Sequence, residues 1–311
     1  MRKLLLRRTA LLVVLLLATW RPRETLAADV LTFDTNGDGV PDITIPDSDG
    51  DGRFEWPAGT TKLPGTLHFR AGNDIEFSGY TTIKADAITI DQGATLSAGL
   101  NLHQIVFIAT HGDIISQGRH FFGFFSGRIG LTAQLGSIDL RGSFFLGATT
   151  VIVQAPRGSI TIQADPNADA FQRDIVAQTL SVLARNPTGS IVIGNAVLVS
   201  SRTTVDNHAS SSVPPGVDKG IRLIDGATLG SNTTINATGR ITLDDASISG
   251  DNIKLSTSRA TDDVCVANGS LLRAVSGRIN TYGVRGTPHI DETSTVIGPV
   301  VGKPFVAGVC P

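Results

Sequence analysis

The residues best suited to do chemistry are carboxylates, and they lie together. The run Asp34-Thr35-Asn36-Gly37-Asp38-Gly39-Val40-Pro41-Asp42 puts oxygen-bearing side chains at positions 1, 3, 5 and 9, with Gly at position 6. The run Asp47-Ser48-Asp49-Gly50-Asp51-Gly52-Arg53-Phe54-Glu55 repeats that spacing 13 residues later. A hard cation such as Ca²⁺ takes six to eight oxygens, and alternate residues of a tight loop can aim carboxylates at one centre while Gly permits the turn. The main-chain carbonyls of Val40 and Arg53 fall at position 7. Carboxylates this dense repel one another unless a cation sits among them, which a purely solvated turn does not account for. The expected ligand set is therefore Asp34, Asn36, Asp38, Val40, Asp42, Asp47, Asp49, Asp51, Arg53 and Glu55, with Ca²⁺ as the ion.

This tandem pattern, D-x-[DN]-x-D-G-x-x-[DE], resembles thrombospondin type-3 and dockerin-like calcium loops. The resemblance covers about 25 residues and implies calcium binding. An EF-hand also needs a bidentate Glu at position 12, where this chain has Ile45 and Ala58, so a helix-flanked EF-hand pair is not expected.

Charge elsewhere excludes several partners. Of 26 Lys/Arg and 28 Asp/Glu, the first 28 residues hold six bases and one acid, and Asp29–Glu55 holds eight acids against Arg53. Everything after Glu55 carries 19 of each sign. A neutral body offers no basic face for nucleic acid or anionic lipid.

The elements that must position the acidic loops follow from the rest of the chain. Residues 1–28 read as a signal peptide: Arg2, Lys3, Arg7 and Arg8, an apolar stretch from Thr9 to Trp20, and a small-residue end at Ala27-Ala28. The apolar stretch stops at Arg21, short of the roughly 20 residues that span a bilayer, which disfavours an uncleaved anchor. No later segment is long and apolar enough to form a spanning helix, so the expected location is secreted, periplasmic or at the cell surface. Cys265 and Cys310 are the two cysteines, and in an exported chain they are expected to pair and pin the C-terminal tail.

Internal repetition carries the fold. GDIISQGRHFFG (112–123) and GSIDLRGSFFLG (136–147) match at an offset of 24, and further copies begin at Gly158 and Gly189, with echoes at Gly239-Arg240-Ile241 and Gly277-Arg278-Ile279. A second phrase recurs as Gly93-Ala94-Thr95-Leu96 and Gly226-Ala227-Thr228-Leu229. Each unit holds short runs alternating apolar and polar residues, closed by Gly, Asp or Asn, which is the strand pattern. Units that cannot bury a face alone must stack. The expectation is an all-β, right-handed parallel β-helix of roughly ten coils. Its divisions are a signal peptide (1–28), calcium loops with an N-terminal cap (29–60), the helix body (61–283) and a C-terminal cap (284–311). Phe121, Phe122, Phe124, Phe125, Phe144 and Phe145 are expected to stack between adjacent coils.

The repeat resembles two groups of exported bacterial proteins: polysaccharide lyases and hydrolases, and filamentous haemagglutinin-like adhesins. Its G-[ST]-I-x-[IL] phrases are more similar to the adhesin-type solenoids. Catalysis needs paired carboxylates, or a base beside calcium, on one face of the rod. Asp244-Asp245, Asp251 and Asp262-Asp263 read instead as turn residues. Arg119, Arg128, Arg141 and Arg157 keep no common register, and His68, His103, His111, His120, His208 and His289 show no metal-ligand spacing. The functional expectation is a calcium-binding structural or adhesive β-helix protein without catalysis, with a polysaccharide or cell-surface ligand as partner. The alternative is a calcium-dependent polysaccharide lyase or glycoside hydrolase.

Overall fold

The computed structural model describes residues 29–99, 102–167, 173–186, 189–207, 220–230, 232–259 and 261–310. Nothing is described of the side chains of 120–126 and 143–145. The expected signal peptide lies outside the described residues. All regular structure among the described residues is strand, and it forms a parallel β-solenoid of about nine turns, close to the ten expected. Strands of successive turns pair in parallel in three ladders, each making one lateral face: the first begins with Phe54–Trp56 on Asp74–Phe77, the second with Gly59–Lys62 on Tyr80–Ala85 and the third with Thr66–Phe69 on Ala87–Ile90. Pairing starts at Phe54 and runs to Ala307.

The period-two pattern works because each inward residue stacks on its counterpart in the next turn. In the third ladder Ile88, Ile114, Ile138, Ile160, Ile191, Ile221, Ile241 and Val264 form one column. All eight are buried. Strands such as Ile160–Ala164 alternate buried and half-buried residues along their length. Burying each Ile side chain is worth roughly 1.5–3 kcal/mol, which drives the stacking that a single turn could not achieve.

The Gly-Ser-Ile phrase marks one corner of this rod. A β-carbon at Gly136, Gly158 or Gly189 would lie 2.2–2.4 Å from the carbonyl oxygen of the glycine one turn earlier. The next residue closes the same corner with its side chain. Asp113 Oδ1 accepts from Ser137 N at 2.7 Å, Ser137 Oγ from Ser159 N at 3.1 Å, and Ser159 Oγ from Ser190 N at 3.1 Å. The echo at Gly277-Arg278-Ile279 belongs elsewhere, since Ile279 pairs with Ile253 and Val300 in the second ladder.

A second corner is built on left-handed backbone. Asn195, Asp225, Asp245 and Asn268, one per turn after successive strands of the third ladder, have φ between 48° and 55°. Asn and Asp tolerate that conformation better than other residues with a β-carbon. This accounts for Asp244-Asp245 as a turn. Asp251 and Asp263 also serve neighbouring turns, accepting from Ser276 Oγ and Thr287 N at 2.7 Å each.

The first end of the core is closed by aromatic rings. Phe33, Trp56 and Phe69 meet pairwise at centroid distances of 5.5–5.9 Å, and Phe77 links Trp56 to Phe107. The backbone register sets Phe121 opposite Phe145, but whether their rings stack lies outside the described residues. Cys265 and Cys310 are paired, with Cα atoms 5.6 Å apart.

Candidate metal centre

Each acidic loop sits at a joint of the N-terminal cap. Strands β1 (Val30–Phe33) and β2 (Ile43–Pro46) form an antiparallel hairpin whose turn is the first loop. The second loop leads from β2 into β3 (Phe54–Trp56), which pairs in parallel with Asp74–Phe77 as the first rung of the solenoid. Phe33, Ile45 and Trp56 are buried on the core side of these three strands, so both loops are held from beneath. The first loop is also fastened from outside. Thr66 N donates to Thr35 O at 2.9 Å, and a β-carbon on Gly65 would collide with that oxygen.

The sequence repeat is a repeat of conformation. At position 1, Asp34 accepts from Gly37 N and Gly39 N, and Asp47 accepts from Gly50 N and Gly52 N, at 2.7–3.0 Å. At position 3, Asn36 and Asp49 accept from Asp38 N and Asp51 N. At position 5, Asp38 and Asp51 accept from Val40 N and Arg53 N. At position 9, Asp42 accepts from Thr35 N and Glu55 from Ser48 N, each spanning seven residues. Gly37, Gly39, Gly50 and Gly52 all have φ between 72° and 89°, which only glycine adopts without strain.

The two loops differ in how far their carboxylates converge. Among the described residues, Asp47, Asp49 and Glu55 form a group whose oxygens lie within 4.8 Å of one another. Asp47 is buried, Asp49 exposed and Glu55 half-buried. Three charges at that separation repel by between about 1 and 3 kcal/mol per pair, depending on how much water screens them. The donors are all hard oxygens with no thiolate or imidazole, which suits Ca²⁺ or Mg²⁺ rather than a softer metal. Six to eight ligands would require carbonyls, bidentate carboxylates and water in addition.

The first loop carries an amide at position 3, and Asn36 Nδ2 donates to Asp38 Oδ2 at 3.0 Å. Asp42 is committed to Thr35, whose hydroxyl and amide hold its carboxyl below the ordinary value. Asp34, Asn36, Asp38, Val40 and Asp42 thus share the loop framework without forming a converging carboxylate group. Of the second-loop residues, Asp51 and Arg53 lie outside the convergent group of three. Ile45, at position 12 of the first loop, is a core residue.

The Arg53 side chain has another role. Its guanidinium lies 3.9 Å from Asp74 and 3.4 Å from Glu76, both on the strand paired with β3. Asp74 and Glu76 were not singled out by spacing. Their signal is the match of Arg53-Phe54-Glu55-Trp56 with Asp74-Ile75-Glu76-Phe77, which the register aligns residue for residue from Phe54 onward.

The chain matches no family model, no curated protein and no solved structure. No described helix is long and apolar enough to cross a membrane.

Proposed function

We propose that this protein is an exported, calcium-binding structural or adhesive rod without catalytic activity. The observation that carries the reading is the convergence of Asp47, Asp49 and Glu55 where the cap meets the first turn. Asp47 and Asp49 belong to the connecting loop, while Glu55 belongs to β3 itself. A divalent cation held by all three would clamp the cap hairpin to the solenoid and cancel their mutual repulsion. The cap in turn covers the apolar end of a core that would otherwise be open to water. The Cys265–Cys310 pair supports an oxidising compartment. The lateral faces, with one repeating unit per turn, supply the extended surface an adhesive role requires.

The test is thermal unfolding and calorimetric titration of the full chain with calcium and with chelator. Calcium is expected to raise the melting temperature, with a gain of about 2.7 kcal/mol at a hundredfold excess over Kd. Asp49→Asn/Glu55→Gln, which removes two of the three convergent charges, is expected to weaken binding and shrink that gain. Equal melting temperatures with and without calcium, and no heat of binding, would overturn the proposal.

A further inference from the structure

A lateral groove of about 480 Å³ crosses the second face near the C-terminal end of the rod. Its floor is a column of paired positions from four successive turns: Asp206, Asn236, Ser256 and Gly283. At a strand spacing of about 4.8 Å, that column is about 14 Å long. The ladder is regular up to Lys254↔Asn280 and then shifts, so that Ser256 meets Gly283. The shift is a bulge that turns Thr281 into the core, where its hydroxyl donates to Val301 O and Lys303 O, and leaves Tyr282 72% exposed on the groove wall. Bulges re-aim side chains in this way beside binding sites. Gly283 keeps the floor open, because a β-carbon there would lie 2.3 Å from Ser256 Oγ.

Some of the groove's polar groups are used by the fold: Thr257 Oγ1 donates to Asp262 O and accepts from Arg285 N, and Ser258 Oγ donates to Ala237 O. Among the described residues, the Asn236 amide, the Ser256 and Tyr282 hydroxyls and the Arg285 guanidinium have no hydrogen-bond partner. They offer both donors and acceptors, and among the described residues of the lining there is one acid, Asp206, and one base, Arg285. Described lining residues that carry no net charge give no preference for a polyanion such as nucleic acid or an acidic polysaccharide. Among its described residues the lining contains no aliphatic side chain to hold an apolar ligand. Each hydroxyl of a sugar ring is both donor and acceptor, and the ring's C–H face packs on an exposed phenol ring that keeps its own polar tip. The strand spacing is close to the length of one pyranose unit in an extended chain.

We infer that this groove binds a neutral, hydroxyl-rich saccharide chain laid along the rod axis, with Tyr282 as its stacking platform and Asn236, Ser256 and Arg285 as its hydrogen-bonding groups. The inference deepens the adhesive half of the function proposed above and rests on it, while standing apart from the calcium centre. The experiment is saturation-transfer NMR and affinity electrophoresis of the full chain with neutral tetra- to hexasaccharides of glucose, mannose, galactose and xylose, with polygalacturonate as the anionic comparison.

At least one neutral series is expected to bind, and Tyr282→Ala and Asn236→Ala are each expected to weaken it about tenfold or more. Tyr80→Ala, which removes the other described tyrosine, should leave binding unchanged, as should Asp49→Asn/Glu55→Gln at a temperature where that variant is folded. Melting curves of the groove variants matching the parent's would show that any loss is local. Binding by no neutral sugar, equal binding by Tyr282→Ala, or preference for polygalacturonate would each overturn the assignment. Because the calcium variant is measured in the same series, failure of the groove and failure of the metal centre give different results.

Discussion

At the residue scale, two glycines separate two reasons for having no side chain. Gly158 has an ordinary backbone conformation, yet a β-carbon there would lie 2.2 Å from Gly136 O and 2.7 Å from Ser137 Cα, both backbone atoms that cannot swing aside. Gly226 has open space around it but φ of +77°. Gly158→Ala is expected to cost about 1–3 kcal/mol through displacement of the adjoining turn, and Gly226→Ala about 1 kcal/mol through backbone strain alone. Urea unfolding of the two variants checks the order. Asp262 supplies a pH-dependent case. It is buried, its Oδ2 has no partner, and burial pushes its carboxyl above the ordinary 3.8. With a raised folded value, the unfolded chain gives up this proton first as pH rises. The resulting loss of stability starts near pH 4, grows until the folded group ionises, and persists above that. Asp262→Asn is therefore expected to gain roughly 1 kcal/mol at neutral pH and nothing below about pH 3. A gain that stays constant across that range would contradict the assignment of burial as the cause.

At the scale of elements, the cap hairpin and the second loop form one unit whose rigidity depends on charge. Asp47 is held by three backbone amides, but Asp49 and Asp51 hold local turns and lie exposed. Without a cation the segment 47–53 is expected to be cut readily by protease, and calcium should slow that cleavage while leaving the solenoid strands unaffected. Equal cleavage rates would mean that the loop holds its shape without an ion. Much of this is legible in the sequence. The loops announce themselves because each oxygen sits at a fixed offset within nine residues, and the Gly-Ser-Ile corner because each glycine faces its own copy one turn earlier. The groove was not legible, for a physical reason. Asp206, Asn236, Ser256 and Gly283 align only after turns of 30, 20 and 27 residues, and the last step includes a bulge that no periodicity encodes. A corner needs the same residue type in every turn, whereas a binding surface needs different ones. The phrase at Gly277 misleads for a related reason, since two different corners accept the same residues.

At the scale of the whole molecule, stability in a stack of turns is a sum of nearest-neighbour interfaces, so an end turn with one neighbour is the weakest. The two ends are closed differently. The N-terminal end has the hairpin and the rings of Phe33, Trp56 and Phe69 over its core, while the last turn leaves Ile297, Val300 and Val306 between 36% and 49% exposed. The disulfide compensates there. Cys265 pairs in register with His289, and His289 with Val306, so the bridge from Cys265 to Cys310 spans the last two strands of the third ladder. A closed loop of 45 residues is worth about 4 kcal/mol in chain entropy, but only to the part of the chain inside it. Reduction, or Cys310→Ser, is therefore expected to release the strands from Pro288 to Ala307 while the turns built on Ile138, Ile160 and Ile191 stay protected. Hydrogen exchange resolved along the chain reads this directly: protection should fall from the C-terminal end inward, and the interior amides should keep their parent rates. An interior substitution such as Ile160→Ala, costing about 2–5 kcal/mol, should do the reverse and lower protection on both sides of its turn. If loss of the disulfide instead accelerated exchange uniformly from Ile75 to Ile290, the rod would be one cooperative unit and the nearest-neighbour account of its stability would fail.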